Sequence, residues 1–403
     1  MRMPARSLAM VCAVLALLAL PSSKAGAAAS FETTAREAIL IDDETGTVLF
    51  EHNADVPTPP ASLSKLMTVY LVFEALKTGR ISLDDSFRVS EQAWRMGGSK
   101  MFVELGSAVR VDDLLRGVIV QSGNDACIVL AEGLSGSEQA FVEAMNAKGQ
   151  ELGLSGSHFL NSTGWPEDGH VMSARDIAEL SRRLIHDFPE YYPMFAELEF
   201  VYNGIKQGNR NPLLYKTLGA DGLKTGHTEL SGYGLAASAI RGERRLIAVV
   251  QGLDGVNARS QETERLLEYG FREFERYALF EAGETVIDAE VWLGASASVP
   301  LVIGQGLGVT LARSERSGLK VAVVYDGPVP APIALGQDIG RLVVSVAQRP
   351  ILEAPLQAGA DVAERSRFER FGTVLGHLLW GRSEKAAPQP TPPAEAAGGA
   401  PAN

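Results

Sequence analysis

Cysteine is almost missing from this 403-residue chain: there are two, too few for a disulfide framework or a thiolate metal site. Cys12 sits in an apolar N-terminal run expected to be removed, so Cys127 would be the only thiol and no intrachain disulfide could form. The six histidines show no metal-ligand spacing, and neither a metal nor a cofactor is expected. Basic residues are scarce as well, 37 Lys plus Arg against 49 Asp plus Glu, and a net charge of −12 argues against a nucleic-acid partner. The apolar run Leu8–Leu20 falls short of the roughly 18 residues that span a bilayer. The 41 glycines and 20 prolines follow no collagen-like period. What is plentiful is hydrophobic residues, at 46% beside 21% charged. That balance suits a globular chain of two domains plus appendages.

Residues 1–29 read as a secretory signal, with Arg2 and Arg6 before the apolar run. Small residues follow at Ala25-Gly26-Ala27 or Ala27-Ala28-Ala29 as the cleavage site; the competing reading is an uncleaved anchor. Cleavage would leave 34 basic and 49 acidic residues, a net charge of −15, outside the cytoplasm. Residues 37–50 read as a hairpin, a helix follows from Leu63, and further helices cover about 108–153 and 173–187. Residues 221–226, 232–240 and 244–252 read as strands, with a helix expected over 261–279. This is an α/β (α+β) pattern, an antiparallel sheet with a helical cluster, expected over residues 30–280. Short β-branched segments between Gly, Pro and Asp predict a small all-β, sandwich-like domain over 281–361. Residues 362–382 return to helical spacing, and 383–403, rich in Ala, Pro and Gly, read as disordered.

Three short motifs carry the chemistry. Ser62-Leu63-Ser64-Lys65 is an S-x-x-K at a helix start, where residues three apart share a face and Lys65 can reach the Ser62 hydroxyl. A serine is a weak nucleophile until a base takes its proton, and a neutral lysine amine can do so. Ser122-Gly123-Asn124 and Lys224-Thr225-Gly226 follow in that order. Each triplet alone is weak. A second S-x-x-K, Ser317–Lys320, falls in an expected strand, where positions three apart face opposite sides, and a second K-T-G, Lys77–Gly79, reads as a helix end closed by glycine. The ordered set of three is the specific signal.

With its flanks, the set resembles the penicillin-recognising serine enzymes, and most of all the low-molecular-mass penicillin-binding proteins that are D-alanyl-D-alanine carboxypeptidases. The similar stretches are Pro60–Thr68, Ser122–Cys127, Asn161–Asp176 and Asp221–Thr228, and the likeness runs over about residues 35–380. Two positions depart from it: Asn209-Arg210-Asn211, where the family often has Asn-Thr-Asn, and Ser231-Gly232, where it often has Ala-Gly. The resemblance implies that Ser62 attacks the carbonyl between two terminal D-alanines while Lys65, its pKa lowered by burial and by Lys224, takes the proton. It implies that Ser122 relays a proton to the leaving amine and that Asn124 holds Lys65 and the substrate amide. Lys224 and Thr225 would bind the terminal carboxylate, Gly226 would let the substrate backbone approach, and the backbone N–H groups of Ser62 and His227 would form the oxyanion hole. Arg245 would stand behind the carboxylate site, or else be solvated with Arg241 and Arg244. Implied partners are the peptidoglycan stem pentapeptide and β-lactam inhibitors.

Rival readings share parts of this pattern. A serine β-lactamase shares the motifs, but the E-x-x-L-N segment of class A is missing. A D,D-endopeptidase or an esterase of the same fold, and a non-catalytic envelope scaffold, complete the set. His227 reads as a cleft-wall residue and Cys127 as a buried hydrophobe. Along 365–382, Phe368, Phe371, Val374, Leu375, Leu378 and Leu379 form an apolar stripe between arginines. It suits a helix lying on a membrane surface, which would make the protein periplasmic and peripheral, or one packed on the β domain.

Overall fold

The computed structural model describes residues 31–366. The signal segment, the stripe over 367–382 and the tail lie outside them. The first domain runs β1 (Glu37–Asp42), β2 (Val48–His52), α1 (Lys65–Lys77), β3 (Ser86–Arg88), α2 (Glu91–Arg95), β4 (Ala108–Arg110), α3 (Val111–Ile119), α4 (Asn124–Ser135), α5 (Glu138–Glu151) and α6 (Ala174–Asp187). It continues through β5 (Glu199–Tyr202), β6 (Ile205–Gly208), β7 (Ala220–Thr228), β8 (Gly232–Arg241), β9 (Arg244–Leu253) and α7 (Val256–Glu273).

The main sheet is antiparallel in the order β2-β1-β9-β8-β7, which leaves β7 at an edge. The central residues of β1, β8 and β9 are almost all apolar because both faces of the sheet are covered. Ile39, Ile41, Leu223, Ala236, Ile247 and Val249 join the helical cluster, while their neighbours Ala38, Leu40, Leu235, Ala237, Leu246 and Ala248 meet Leu266 and Leu267 of α7. This is the two-residue alternation of a strand, used twice. α1 is buried over nearly its whole circumference, as its run of apolar residues requires. The Ser62–Lys65 turn is thereby anchored to the core at the start of α1.

The second domain contains β10 (Phe274–Phe280), β11 (Thr285–Trp292), β12 (Ser298–Ile303), β13 (Leu307–Ala312), β14 (Leu319–Tyr325), β15 (Val329–Pro330), β16 (Asp338–Val346) and β17 (Arg349–Ala358). A six-stranded sheet and the β10–β13 pair enclose one core that includes Leu279, Leu301, Leu342, Val344 and Leu356. The helix expected over 261–279 instead ends at Glu273, and 274–280 forms a strand of the second domain. Phe274, Tyr277 and Phe280 are spaced three apart, which imitates a helix face. At the other end, Val362 is buried and pairs with Ile333, and Glu364 pairs with Gly294, so extended chain reaches into the stretch expected to be helical from 362. Ser317 lies at the end of an exposed 3-10 turn rather than in the expected strand, and Lys320 lies on β14, so the two residues of that second S-x-x-K share no one helix. The β domain meets the first domain at the β1–β2 turn, where Thr45 Oγ1 and Thr310 Oγ1 lie 3.1 Å apart and Glu44 pairs with Arg276. Among the described residues no helix is long and apolar enough to cross a membrane.

Candidate active site

Pro60 precedes the turn at Ala61, φ +50°, into a 3-10 turn, Ala61–Ser64, that leads into α1. Lys65 is the first residue of α1, and its Nζ lies 2.8 Å from Ser62 Oγ. Nζ also donates to the Thr163 carbonyl at 2.5 Å. A neutral amine has two N–H groups and one lone pair. With one N–H held by Thr163, the lone pair can turn toward the Ser62 hydroxyl.

Burial pushes the Lys65 ammonium down to about 8; Arg210 adds to this, while Cys127 and Asp125 act against it. Burial also holds the Cys127 thiol up at about 12, so near neutral pH it carries no charge to oppose the loss of the Lys65 proton. A thiol so placed is no nucleophile. Lys224 is buried too, and its pKa is driven well down by burial, then by Lys65 and Arg210. Lys65 and Lys224 therefore repel one another, as expected from sequence, and Arg210 is a further cation that acts on both.

Ser122 occupies the turn between α3 and α4 with φ +63°. Its Oγ is buried and has no hydrogen-bond partner. Asn124 starts α4, but its amide donates to the Gly97 carbonyl at 2.8 Å; the hydrogen bonds of Lys65 go to Ser62 and Thr163 instead. Asp125 accepts from the backbone N–H groups of Met101, Phe102 and Val103 at 2.9–3.2 Å, tying the strip before β4 to the Ser122 turn.

Lys224, Thr225 and Gly226 lie on the edge strand β7, all buried. A side chain at Gly226 would meet the Pro60 carbonyl at 3.0 Å, so this glycine lets the strand pass close to the Ser62 turn. His227 is exposed and stacks on Tyr233, ring centroids 3.8 Å apart. Arg245 is neither solvated nor free: it donates to Asp221 at 2.6 and 2.9 Å and lies over the Tyr192 ring. The exposed cation near the two lysines is Arg210, which donates to Ser99 Oγ at 2.6 Å. Its neighbours fix it in place: Asn209 accepts from the Asn211 N–H, and Asn211 donates to the Gly222 carbonyl of β7.

The loop from His158 to Val171 packs against the start of α1 through its Ser162 and Thr163 carbonyls. Asn161 Oδ1 gathers the N–H groups of Thr163, Gly164 and Trp165, and Thr68 donates to the Ser162 carbonyl. Gly164 has φ +78°, and a Cβ there would stand 1.8 Å from the Ala61 carbonyl oxygen. Gly164→Ala should therefore cost about 3 kcal/mol from left-handed backbone and overpacking. Scanning calorimetry should show a melting temperature lowered by roughly 5–10 °C; an unchanged melting temperature would refute this packing argument. The roles of Thr163, Asp125 and Arg210 were not foreseen from sequence, although two carried a signal: Asp125 as an acid in the first turn of a helix, and Arg210 as a departure from the family's Asn-Thr-Asn.

Comparison with known proteins matches both domains. The model of the D-alanyl-D-alanine carboxypeptidase family matches residues 23–255, and that of the penicillin-binding protein 5 C-terminal domain matches 274–364. The chain is 41% identical over 344 residues to D-alanyl-D-alanine carboxypeptidase DacC of Escherichia coli, covering 83% of this chain and 86% of that protein. Among solved structures, penicillin-binding protein 5 from Haemophilus influenzae superposes with a TM-score of 0.78 at 40% identity, covering 83% of this chain and 99% of the other. Penicillin-binding protein D2 from Listeria monocytogenes in its ampicillin-bound form matches with a TM-score of 0.56 at 33% identity, covering 60% of this chain and 99% of that one.

Proposed function

The chain belongs to the serine-type D-alanyl-D-alanine carboxypeptidase family, and from that premise we propose that it releases the terminal D-alanine of peptidoglycan pentapeptides through an acyl-enzyme on Ser62. The observation that carries this reading is the 2.8 Å contact of Lys65 Nζ with Ser62 Oγ, set between the edge strand β7 and the Ser122 turn. In the first half-reaction Ser62 Oγ attacks the carbonyl carbon between the two D-alanines and its proton passes to Lys65. The C–N bond breaks, and a proton relayed through Ser122 leaves on the D-alanine amine. Water then attacks the ester, Lys65 takes a proton from it, and Ser62 recovers its own.

An extended peptide can lie along β7, whose outer edge is unpaired among the described strands. Its free carboxylate would give Lys224 the counter-charge that burial denies it, with Thr225 and Arg210 alongside. The backbone N–H groups of Ser62 and His227 would hold the oxyanion, donors worth about 3 kcal/mol each. Asn124 would then orient the substrate amide rather than Lys65, and Arg245 would hold β7 through Asp221 rather than touch substrate. D-alanine assayed after incubation with a soluble pentapeptide should rise catalytically. Hydrolysis of penicillin without that release would sink the reading in favour of a β-lactamase, and cleavage of cross-linked dimers alone in favour of an endopeptidase.

The reading includes export to the periplasm and peripheral attachment to the outer face of the cytoplasmic membrane. Arg365 donates to the Gly294 carbonyl, and the proposed contact with anionic lipid rests on Arg367, Arg370 and Arg382, at about 1 kcal/mol each. Because Val362 is buried in the β domain, the informative truncation removes 367–403 and spares that contact. It should leave D-alanine release unchanged and abolish co-sedimentation with anionic vesicles. Equal sedimentation of full-length and truncated protein would remove the anchor.

A further inference from the structure

His170 is buried on the loop that supplies Thr163, yet no step above uses it. The Leu160 N–H donates to its Nδ1 at 3.3 Å, so the ring proton sits on Nε2. Nε2 lies 2.7 Å from the hydroxyl oxygen of Ser64, the residue between Ser62 and Lys65 on the nucleophile's turn. The ring thus touches both partners of one joint: the loop whose Thr163 carbonyl holds Lys65, and the turn that presents Ser62. We propose that His170 is a positioning residue, which ties the 158–171 loop to Ser64 and so keeps the Lys65 lone pair aimed at Ser62. The inference rests on the acyl-enzyme reading above.

Its chemistry requires a neutral ring. A proton on Nδ1 would face the Leu160 N–H and break that bond. Burial opposes that charge and lowers the His170 pKa to about 4, with His158 from the loop and Lys65 from α1 acting the same way. Phe159 meets the ring edge-on, 6.0 Å between centroids, and adds no charge.

Two variants test this. His170→Phe keeps the bulk and removes both hydrogen bonds; His170→Gln keeps a donor and an acceptor but cannot titrate. The expected result is a kcat for D-alanine release at least tenfold lower in His170→Phe, with KM within about twofold, and the rate of acylation by benzylpenicillin lowered in step. His170→Gln should recover to within about threefold of wild type and lose the extra fall in acylation rate below about pH 4. A His170→Phe protein acylated at the wild-type rate, or a His170→Gln protein as slow as His170→Phe, would overturn the proposal. Should His170→Phe not fold, 15N NMR of the wild-type imidazoles decides: a neutral Nε2–H ring at pH 6 is expected, and a cationic one overturns it. Wild-type protein that penicillin does not acylate at all would instead count against the acyl-enzyme reading itself.

Discussion

Replacing Ser62 by alanine should abolish both penicillin labelling and D-alanine release, lowering turnover by about 10⁴-fold or more, as expected when a nucleophile is removed. The site holds other hydroxyls, and their geometry says why none takes over. Ser64 is engaged with His170, Thr68 with the Ser162 carbonyl, and the unpartnered Ser122 Oγ is not the hydroxyl that Lys65 reaches. Ser62 alone stands 2.8 Å from a lysine whose proton is loosely held. Intact-mass spectrometry after exposure to benzylpenicillin should show one adduct on the wild type, one on Ser317→Ala and none on Ser62→Ala. An adduct persisting on Ser62→Ala would move the nucleophile elsewhere.

The second large effect belongs to Lys65. Its base form is the deprotonated one, so acylation should climb about tenfold per pH unit below pH 8 and level off above it. An ordinary lysine would place that bend near 10.4. Lys65→Arg keeps a cation of similar reach but supplies no neutral amine, and should lose about 10³-fold or more in acylation rate. Since Arg210 is among the groups lowering the Lys65 pKa, Arg210→Gln should move the bend to higher pH. Stopped-flow acylation across pH 5–10 measures all three proteins. A flat profile for the wild type, or wild-type rates from Lys65→Arg, would rule out Lys65 as the base.

Much of the site was legible because its spacing is local. Ser62 and Lys65 are three apart at a helix start, and helical geometry alone brings them together. Lys77–Gly79 ends α1 with a glycine at φ +69°, as its composition suggested. The helix expected over 261–279 failed at its second half because aromatic residues three apart fit either periodicity; what decides is β13, the strand that pairs with 274–280. Arg245 could not be placed because its partner Asp221 lies on β7, and only the sheet brings the two strands' side chains within reach. The Thr163 carbonyl left no trace at all: it is a backbone atom, identical in every residue type.

The sequence by itself determined the family, through three motifs in a fixed order, and the division into a helical-and-sheet domain followed by a β domain. It also determined which side chains are chemically able to act, since nucleophile, amine and amide are properties of residue type. Only the tertiary structure decided that Lys65 leans on Thr163 rather than Asn124, that Arg245 is spent on Asp221, and that Arg210 joins the two lysines as a third cation acting on both. These are matters of distance and desolvation. The pKa of Lys65 depends on how completely everything packed around it excludes water, and that is a property of the folded surroundings that no single segment carries.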